Sequence, residues 1–362
     1  MSRGFGKILT VMLFVIVFAR AEARMAKPRR DSNVIPAAQD SLIATTKDGG
    51  MLSPARELKE NWTTPSLAGS DLTRNEALTL DSYTGPDFSR ELVRVSWRSE
   101  DGIDLYIIKP AGVKKPPVIL YLYSYPADSD RFRDDSFCKF LARHGFAAVG
   151  FVSALTGQRY HNRPMKEWFV SELQEALATS AHDVQMILNY LAERGEFDMN
   201  RIGMFGDGSG ATIAILAAAT DRRIKALDLL DPWGDWPEWV AKSSRIPEAE
   251  RPDYLSKDFL AKVAPLDPVL WLQGLKTPKV RIQQIGDLTV TPGQVRRKIE
   301  AAKPRQAQVV HYEHTADFVK AVSNGRGFDW LKQQLQAPSS PHNRVSGEFK
   351  KPGARFAGQA AP

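Results

Sequence analysis

The chain has 362 residues, 43% of them hydrophobic and 25% charged, a globular composition long enough for one large domain or two smaller ones. Its net charge of +7 is mild for this length, and part of it sits at the two ends (Arg3, Lys7, Arg20 and Arg24; Arg344, Lys350, Lys351 and Arg355) rather than in a clustered basic face, so no nucleic-acid partner is expected. A single cysteine, Cys138, excludes an intrachain disulfide and a cysteine-based zinc site.

Residues 1–23 read as a signal peptide. Arg3 and Lys7 form a positive start, Ile8 to Ala19 is apolar except for Thr10, and Ala21-Glu22-Ala23 has the small-x-small spacing of a cleavage site. An uncleaved N-terminal membrane anchor is the competing reading. In both cases the chain is expected to be exported, to the periplasm or beyond the cell. Residues 24–74, with Pro28, Pro36, Pro54 and Pro65, read as a polar linker and a loosely docked lead-in. A folded domain is expected over 75–336. Residues 337–362, rich in proline and glycine and poor in apolar side chains, are expected to be disordered.

Within the domain, strands and helices alternate. Leu92 to Trp97 alternates like a half-buried strand, Asp101-Gly102 is a turn, and Ile103 to Ile108 returns as a second strand. Pro117 to Tyr123 is a continuous apolar run, as in a strand buried on both faces. Phe137 to His144 predicts a helix ended by Gly145, and Phe146 to Val152 another strand. Phe169, Leu173, Leu177, Val184, Leu188 and Leu191 share one face of a long helix that stops near Gly195. Strands follow at Ile202 to Phe205, Ile224 to Leu230, Val280 to Ile285 and Val309 to Tyr312. Helices are expected at Ala211 to Ala219, from about Gly293 to Ala302, and at Phe328 to Leu335. Such alternation implies an α/β fold with a mostly parallel central sheet flanked by helices.

The densest signal is Arg201-Ile202-Gly203-Met204-Phe205-Gly206-Asp207-Gly208-Ser209-Gly210-Ala211. A buried strand runs into a tight glycine turn and then a helix, the layout of the G-x-S-x-G nucleophile elbow. The frame Gly206-x-Gly208-x-Gly210 is intact, but glycine stands where serine belongs, and Ser209 follows one position late. Glycine holds the positive φ of an elbow tip at little cost and has no oxygen to attack with. Framing the turn on Ser209 instead puts Asp207 in a flank that needs a small residue. Using Asp207 as an aspartate nucleophile gives flanks of Phe205 and Ser209, the poorest fit.

The order of elements from about Leu92 to Leu335 resembles the α/β-hydrolase fold. Asp198-x-Asn200-Arg201-Ile202-Gly203 leading into the elbow is similar to the approach in the prolyl oligopeptidase and dienelactone hydrolase branches. So are Ala264-Pro265-Leu266, Leu275-Lys276-Thr277-Pro278 and Gly286-Asp287-Leu288-Thr289-Val290 to the run through their catalytic acid. The resemblance implies a serine-type hydrolase of ester or peptide-like acyl bonds. Its catalytic residues would be Ser209 as nucleophile, Asp287 as acid and His314 as base, in the family's chain order. The alternative for Asp287 is a helix-capping aspartate, and for His314 a loop histidine with no role. His311 competes as base, but its place in a strand should turn it into packing. His144 reads as a helix-terminal residue, and His161 sits in a polar loop beside Tyr160 and Arg163. Tyr123, at the end of its strand, is the oxyanion-donor candidate by resemblance to the prolyl oligopeptidase branch, the alternative being an aromatic residue that closes the sheet end.

Asp231-Pro232-Trp233-Gly234-Asp235-Trp236-Pro237-Glu238-Trp239 places three tryptophans after the strand that follows the elbow helix, as a small Trp-rich cap insertion. Trp233 and Trp236 are expected either to wall an apolar pocket or to pack the cap onto the sheet. No metal-ligand cluster, Walker A loop or dinucleotide-binding glycine motif is present, so no cofactor is expected. Two functional readings remain. One is an active acyl hydrolase using Ser209 on a small-molecule or peptide-like substrate. The other is an inactive hydrolase-fold protein, with Gly208 in the nucleophile slot, kept as a binding or scaffolding module.

Overall fold

The structure is a computed structural model that describes residues 59–336 apart from 100, 125–129, 156–158, 160–171, 277 and 325. The signal segment, most of the linker, the C-terminal tail, Phe169, His161, Tyr160 and Arg163 lie outside the described residues.

Nine strands form one sheet in the order β1-β2-β3-β5-β4-β6-β7-β8-β9. They are β1 (Leu78–Thr84), β2 (Phe88–Ser96), β3 (Gly102–Pro110), β4 (Pro117–Leu122), β5 (Ala147–Phe151), β6 (Asp198–Asp207), β7 (Ile224–Leu230), β8 (Lys279–Ile285) and β9 (Gln308–Tyr312). The first three are antiparallel neighbours, β3 runs antiparallel to β5, and β4 to β9 run parallel. Ten helices accompany them among the described residues: α1 (Asp135–Ala142), α2 (Leu173–Arg194), α3 (Ser209–Thr220), α4 (Trp236–Lys242), α5 (Arg251–Tyr254), α6 (Lys257–Val263), α7 (Pro268–Gly274), α8 (Gly293–Ala302), α9 (Thr315–Ser323) and α10 (Arg326–Gln334).

The pleat sorts each strand's side chains between two cores. On β4, Val118, Leu120 and Leu122 pack with α2, α3 and the tryptophans of the insertion. Ile119 and Tyr121 face the other layer, with Phe137 and Leu141 of α1 and Phe328 and Leu331 of α10. α3 is buried from Ser209 to Ala218 and apolar all round, because it lies between the sheet and neighbouring helices. α2 ends at Gly195 in the left-handed region (φ 69°), as its sequence predicts.

Three regions of the fold carry no clear sequence signal. β1 is exposed at every residue, so no hydrophobic period marks it. The insertion between β7 and β8 holds four short helices, α4 to α7, each under two full heptads and without a clear stripe. α9 follows His314 directly and begins with a capping box between His314 and Asp317.

The lead-in is tightly held from Lys59 onward. The Glu60 carboxylate accepts from Arg98 Nε and Nη2, both at 2.6 Å, and lies 2.6 Å from His182 Nδ1 on α2. Gln185 Nε2 donates to the Pro65 carbonyl at 2.7 Å. Burial alone would raise the Glu60 carboxyl, but the Arg98 and His182 partners override it and hold it at about 2. Arg98 also binds Asp183 at 2.6 Å, and Asp183 accepts from Arg159 at 2.6 Å and from the Trp97 indole at 2.9 Å. Asp183 has no exposed side-chain surface, so its charge is compensated entirely by this network.

Candidate active site

The elbow forms where β6 passes into α3. Gly208 is the N-cap of α3, with φ 52° and ψ −112°, and its N–H donates to the Leu230 carbonyl of β7 at 2.8 Å. This is the left-handed side of the backbone map, where a β-carbon is strained. The flanking glycines are fixed by close approach. A β-carbon on Gly206 would lie 2.5 Å from the Gly210 carbonyl oxygen, and one on Gly210 would lie 2.5 Å from the Leu122 carbonyl oxygen. Gly206, Gly208 and Gly210 therefore frame the turn, with Gly208 at its tip.

The space above Gly208 is filled. A β-carbon there would overlap the Ser124 hydroxyl oxygen and fall 3.1 Å from Ser124 Cβ and 3.0 Å from Trp233 Nε1. The register explains Ser124: β4 and β6 are parallel with Leu122 beside Gly206, so two residues further on each chain Ser124 stands beside Gly208. Ser124 was not legible as a site residue, and that register is the signal that finds it. Asp207, the residue before the tip, is buried.

Ser209 opens α3 and has no exposed surface. Tyr123, offset by one residue from Ser124, turns to the opposite side of β4. It is buried with its ring 4.7 Å from Tyr121 and 5.8 Å from Phe132. Burial first, and then the neighbouring Tyr121 hydroxyl, push the Tyr123 phenol well above its ordinary value, so it is a neutral hydroxyl.

The carboxyl ends of β8 and β9 bring Asp287 and His314 together. The Gly286 N–H donates to the Tyr312 carbonyl at 2.8 Å. Asp287 accepts from the Thr315 N–H at 3.0 Å and from its hydroxyl at 2.7 Å, and stands 3.7 Å from His314 Nδ1. Slight burial would raise the Asp287 carboxyl, but the two Thr315 donors and then His314 lower it, so it is ionised. The His314 ring is 63% exposed and accepts from the Asp317 N–H at the start of α9. Among the described residues its side chain and backbone pair with Asp287, Glu313 and Asp317, and Ser209 is not among these partners.

The other histidines fall elsewhere. His311 is 61% exposed and lies 3.5 Å from Glu300, so it does not turn into packing as its strand position predicted; β9 is the edge strand and bare on that face. His144 is buried against Phe146 and Phe328, and its Nδ1 meets the Phe140 carbonyl at 2.8 Å.

Trp233, Trp236 and Trp239 are fully buried in the core between the insertion and α3. Trp233 stacks on Trp239 at 4.7 Å, and Trp236 meets Trp239 edge-on at 5.9 Å. The segment is pinned by Asp267, which accepts from the Asp235 N–H at 3.0 Å and the Trp236 N–H at 3.2 Å, and by Thr212, whose hydroxyl donates to the Trp233 carbonyl at 2.9 Å. Asp231 and Asp235 hold positive φ on either side of Trp233, whose Nε1 lies 3.0 Å from where a β-carbon on Gly208 would stand. Among the described residues, no group of three His, Cys, Asp or Glu side chains is placed to hold a metal ion, and no helix is long and apolar enough to cross a membrane.

This strand order, with an elbow after the sixth strand and an acid and a histidine after the eighth and ninth, is the α/β-hydrolase fold. The chain is similar to acetyl xylan esterase 1 from Thermoanaerobacterium sp. JW/SL YS485, with TM-score 0.52 and 13% identity over 74% of this chain and 89% of that one. It is also similar to the Pyrococcus horikoshii acylaminoacyl peptidase, with TM-score 0.55 and 14% identity over 71% of this chain but 43% of the peptidase. A 2,6-dihydroxy-pseudo-oxynicotine hydrolase matches at TM-score 0.52 and 16% identity over 68% of each chain. No protein-family model and no curated protein matches the sequence. Likeness at these identities establishes the fold and leaves the chemistry to the site.

Proposed function

We propose that this chain is a hydrolase-fold protein that binds a small-molecule or peptide-like acyl compound at the carboxyl edge of its sheet without forming an acyl-enzyme at the elbow. The observation that carries the reading is Gly208: the elbow tip has no side chain, and Ser124 and Trp233 occupy the space where a nucleophile would stand. A tip without oxygen cannot make the covalent intermediate on which serine hydrolases depend. The one-residue shift to Ser209 does not replace it, because that side chain is buried and His314 faces solvent. The fold's esterase and peptidase relatives in structure supply the ligand class.

A second reading, an active hydrolase using Ser209, Asp287 and His314, is favoured by the pairing of Asp287 with His314 in family order. A fluorophosphonate probe separates the two. No labelling of the purified protein and no hydrolysis of p-nitrophenyl acetate are expected. Labelling that disappears in Ser209→Ala would establish the second reading instead. We further propose that residues 1–23 direct export. N-terminal sequencing of the protein from its native host should begin near Arg24, and a start at Met1 in a soluble cytoplasmic fraction would refute it.

A further inference from the structure

We infer that Ser124 and Gly208 are a matched pair: Ser124, just after β4, supplies the hydroxyl at the elbow tip, and its presence there adds a steric cost to any side chain at position 208. The inference rests on the proposed absence of an elbow nucleophile and names the residue that enforces it.

Two features of position 208 resist a β-carbon, and they are separable. The backbone has φ 52°, a strain that any non-glycine residue meets whatever its surroundings. The second is occupancy. The Ser124 hydroxyl lies in the volume of the missing β-carbon, with Ser124 Cβ 3.1 Å and Trp233 Nε1 3.0 Å from it. Rotation about χ1 of Ser124 moves the hydroxyl but leaves its Cβ in place. The Trp233 indole is fully buried and stacked on Trp239, so it does not yield at small cost. The Ser124 backbone is held near by the parallel pairing of β4 with β6 and by the contact of Gly210 with the Leu122 carbonyl. Ser124 is partly exposed, whereas Ser209 is not. At this site the partly exposed serine is therefore Ser124, just after β4, and the fully buried one is Ser209 of the elbow.

The pairing has a signature that neither residue has alone. Gly208→Ala should lower the thermal midpoint of the full chain by roughly 5–10 °C, the combined effect of strain and overpacking. In a Ser124→Gly background the same substitution should lower it by less than half as much, since only backbone strain and the Trp233 contact remain. The Ser124→Gly single variant supplies the baseline, so its own stability change cancels in the comparison. If Gly208→Ala is too unstable to melt, soluble yield is the readout, and the double variant should recover soluble protein. Equal losses in the two backgrounds, or two equally insoluble proteins, would overturn the pairing. Fluorophosphonate labelling of the wild type would overturn the proposed function while leaving this cycle unaffected, so the two failures are distinguishable.

Discussion

Replacing Glu60 by glutamine removes one charge from a buried network and leaves the shape nearly unchanged. In the folded chain the Glu60 carboxyl is held at about 2 against an ordinary 4.5. At about 1.36 kcal/mol per pH unit, that difference corresponds to about 3.4 kcal/mol of stability at pH 7. The amide keeps part of the hydrogen bonding to Arg98, so a loss of about 2–3 kcal/mol is expected. The sign follows from a depressed carboxyl: its contribution is complete above 4.5 and is lost as pH falls through about 2. The same two values leave about 1.4 kcal/mol at pH 3. Urea unfolding followed by circular dichroism, on wild type and Glu60→Gln at pH 7, 5 and 3, measures the gap directly. A gap that is full at pH 7 and 5 and roughly halved at pH 3 is expected. A gap that stays constant with pH, or no gap at all, would refute the assignment of Glu60 as the charged clasp of the lead-in.

Three further outcomes follow from packing and charge. Gly210→Ala should yield no soluble protein, because its β-carbon would meet the Leu122 backbone carbonyl at 2.5 Å, and expression of soluble, folded variant would contradict the elbow geometry. Arg281→Met strips the partner from Asp228, which is fully buried and bonded to Arg281 at 2.8 and 2.5 Å; chemical denaturation should show a loss of about 3–5 kcal/mol, with much of it recovered in Asp228→Asn/Arg281→Met. His314→Ala should cost no more than about 1 kcal/mol, the worth of a helix cap, and a larger loss in the same assay would mean that the ring is engaged more deeply than its exposure allows.

Much of the fold was legible because hydrophobic period follows directly from burial. The apolar runs at Val118 to Leu122 and Ala147 to Phe151 are strands covered on both faces, and the spacing of Leu173, Leu177, Val184 and Leu191 is the buried side of α2. The elements that escaped carry no such imprint. β1 is exposed throughout, and the lead-in is held by Glu60, Arg98 and His182, polar residues that sequence alone reads as solvated. At the site, the glycine frame and the order of Gly208, Asp287 and His314 are local or sequential facts. The partner of Gly208 is Ser124, 84 positions away in the chain, and only the pairing of β4 with β6 brings them together.

Sequence by itself thus determined the strand-helix alternation and the three glycines that let β6 turn into α3, since steric exclusion of a β-carbon acts through composition. It left open whether Ser209 could act from one residue along. Tertiary structure decided how that serine is covered: Ser209 has no exposed surface at the start of α3, while Ser124 lies over the elbow tip and the stacked Trp233 stands beside it. The reason is that side-chain access depends on what neighbouring strands place beside a residue, and parallel register is a property of the sheet rather than of any segment within it.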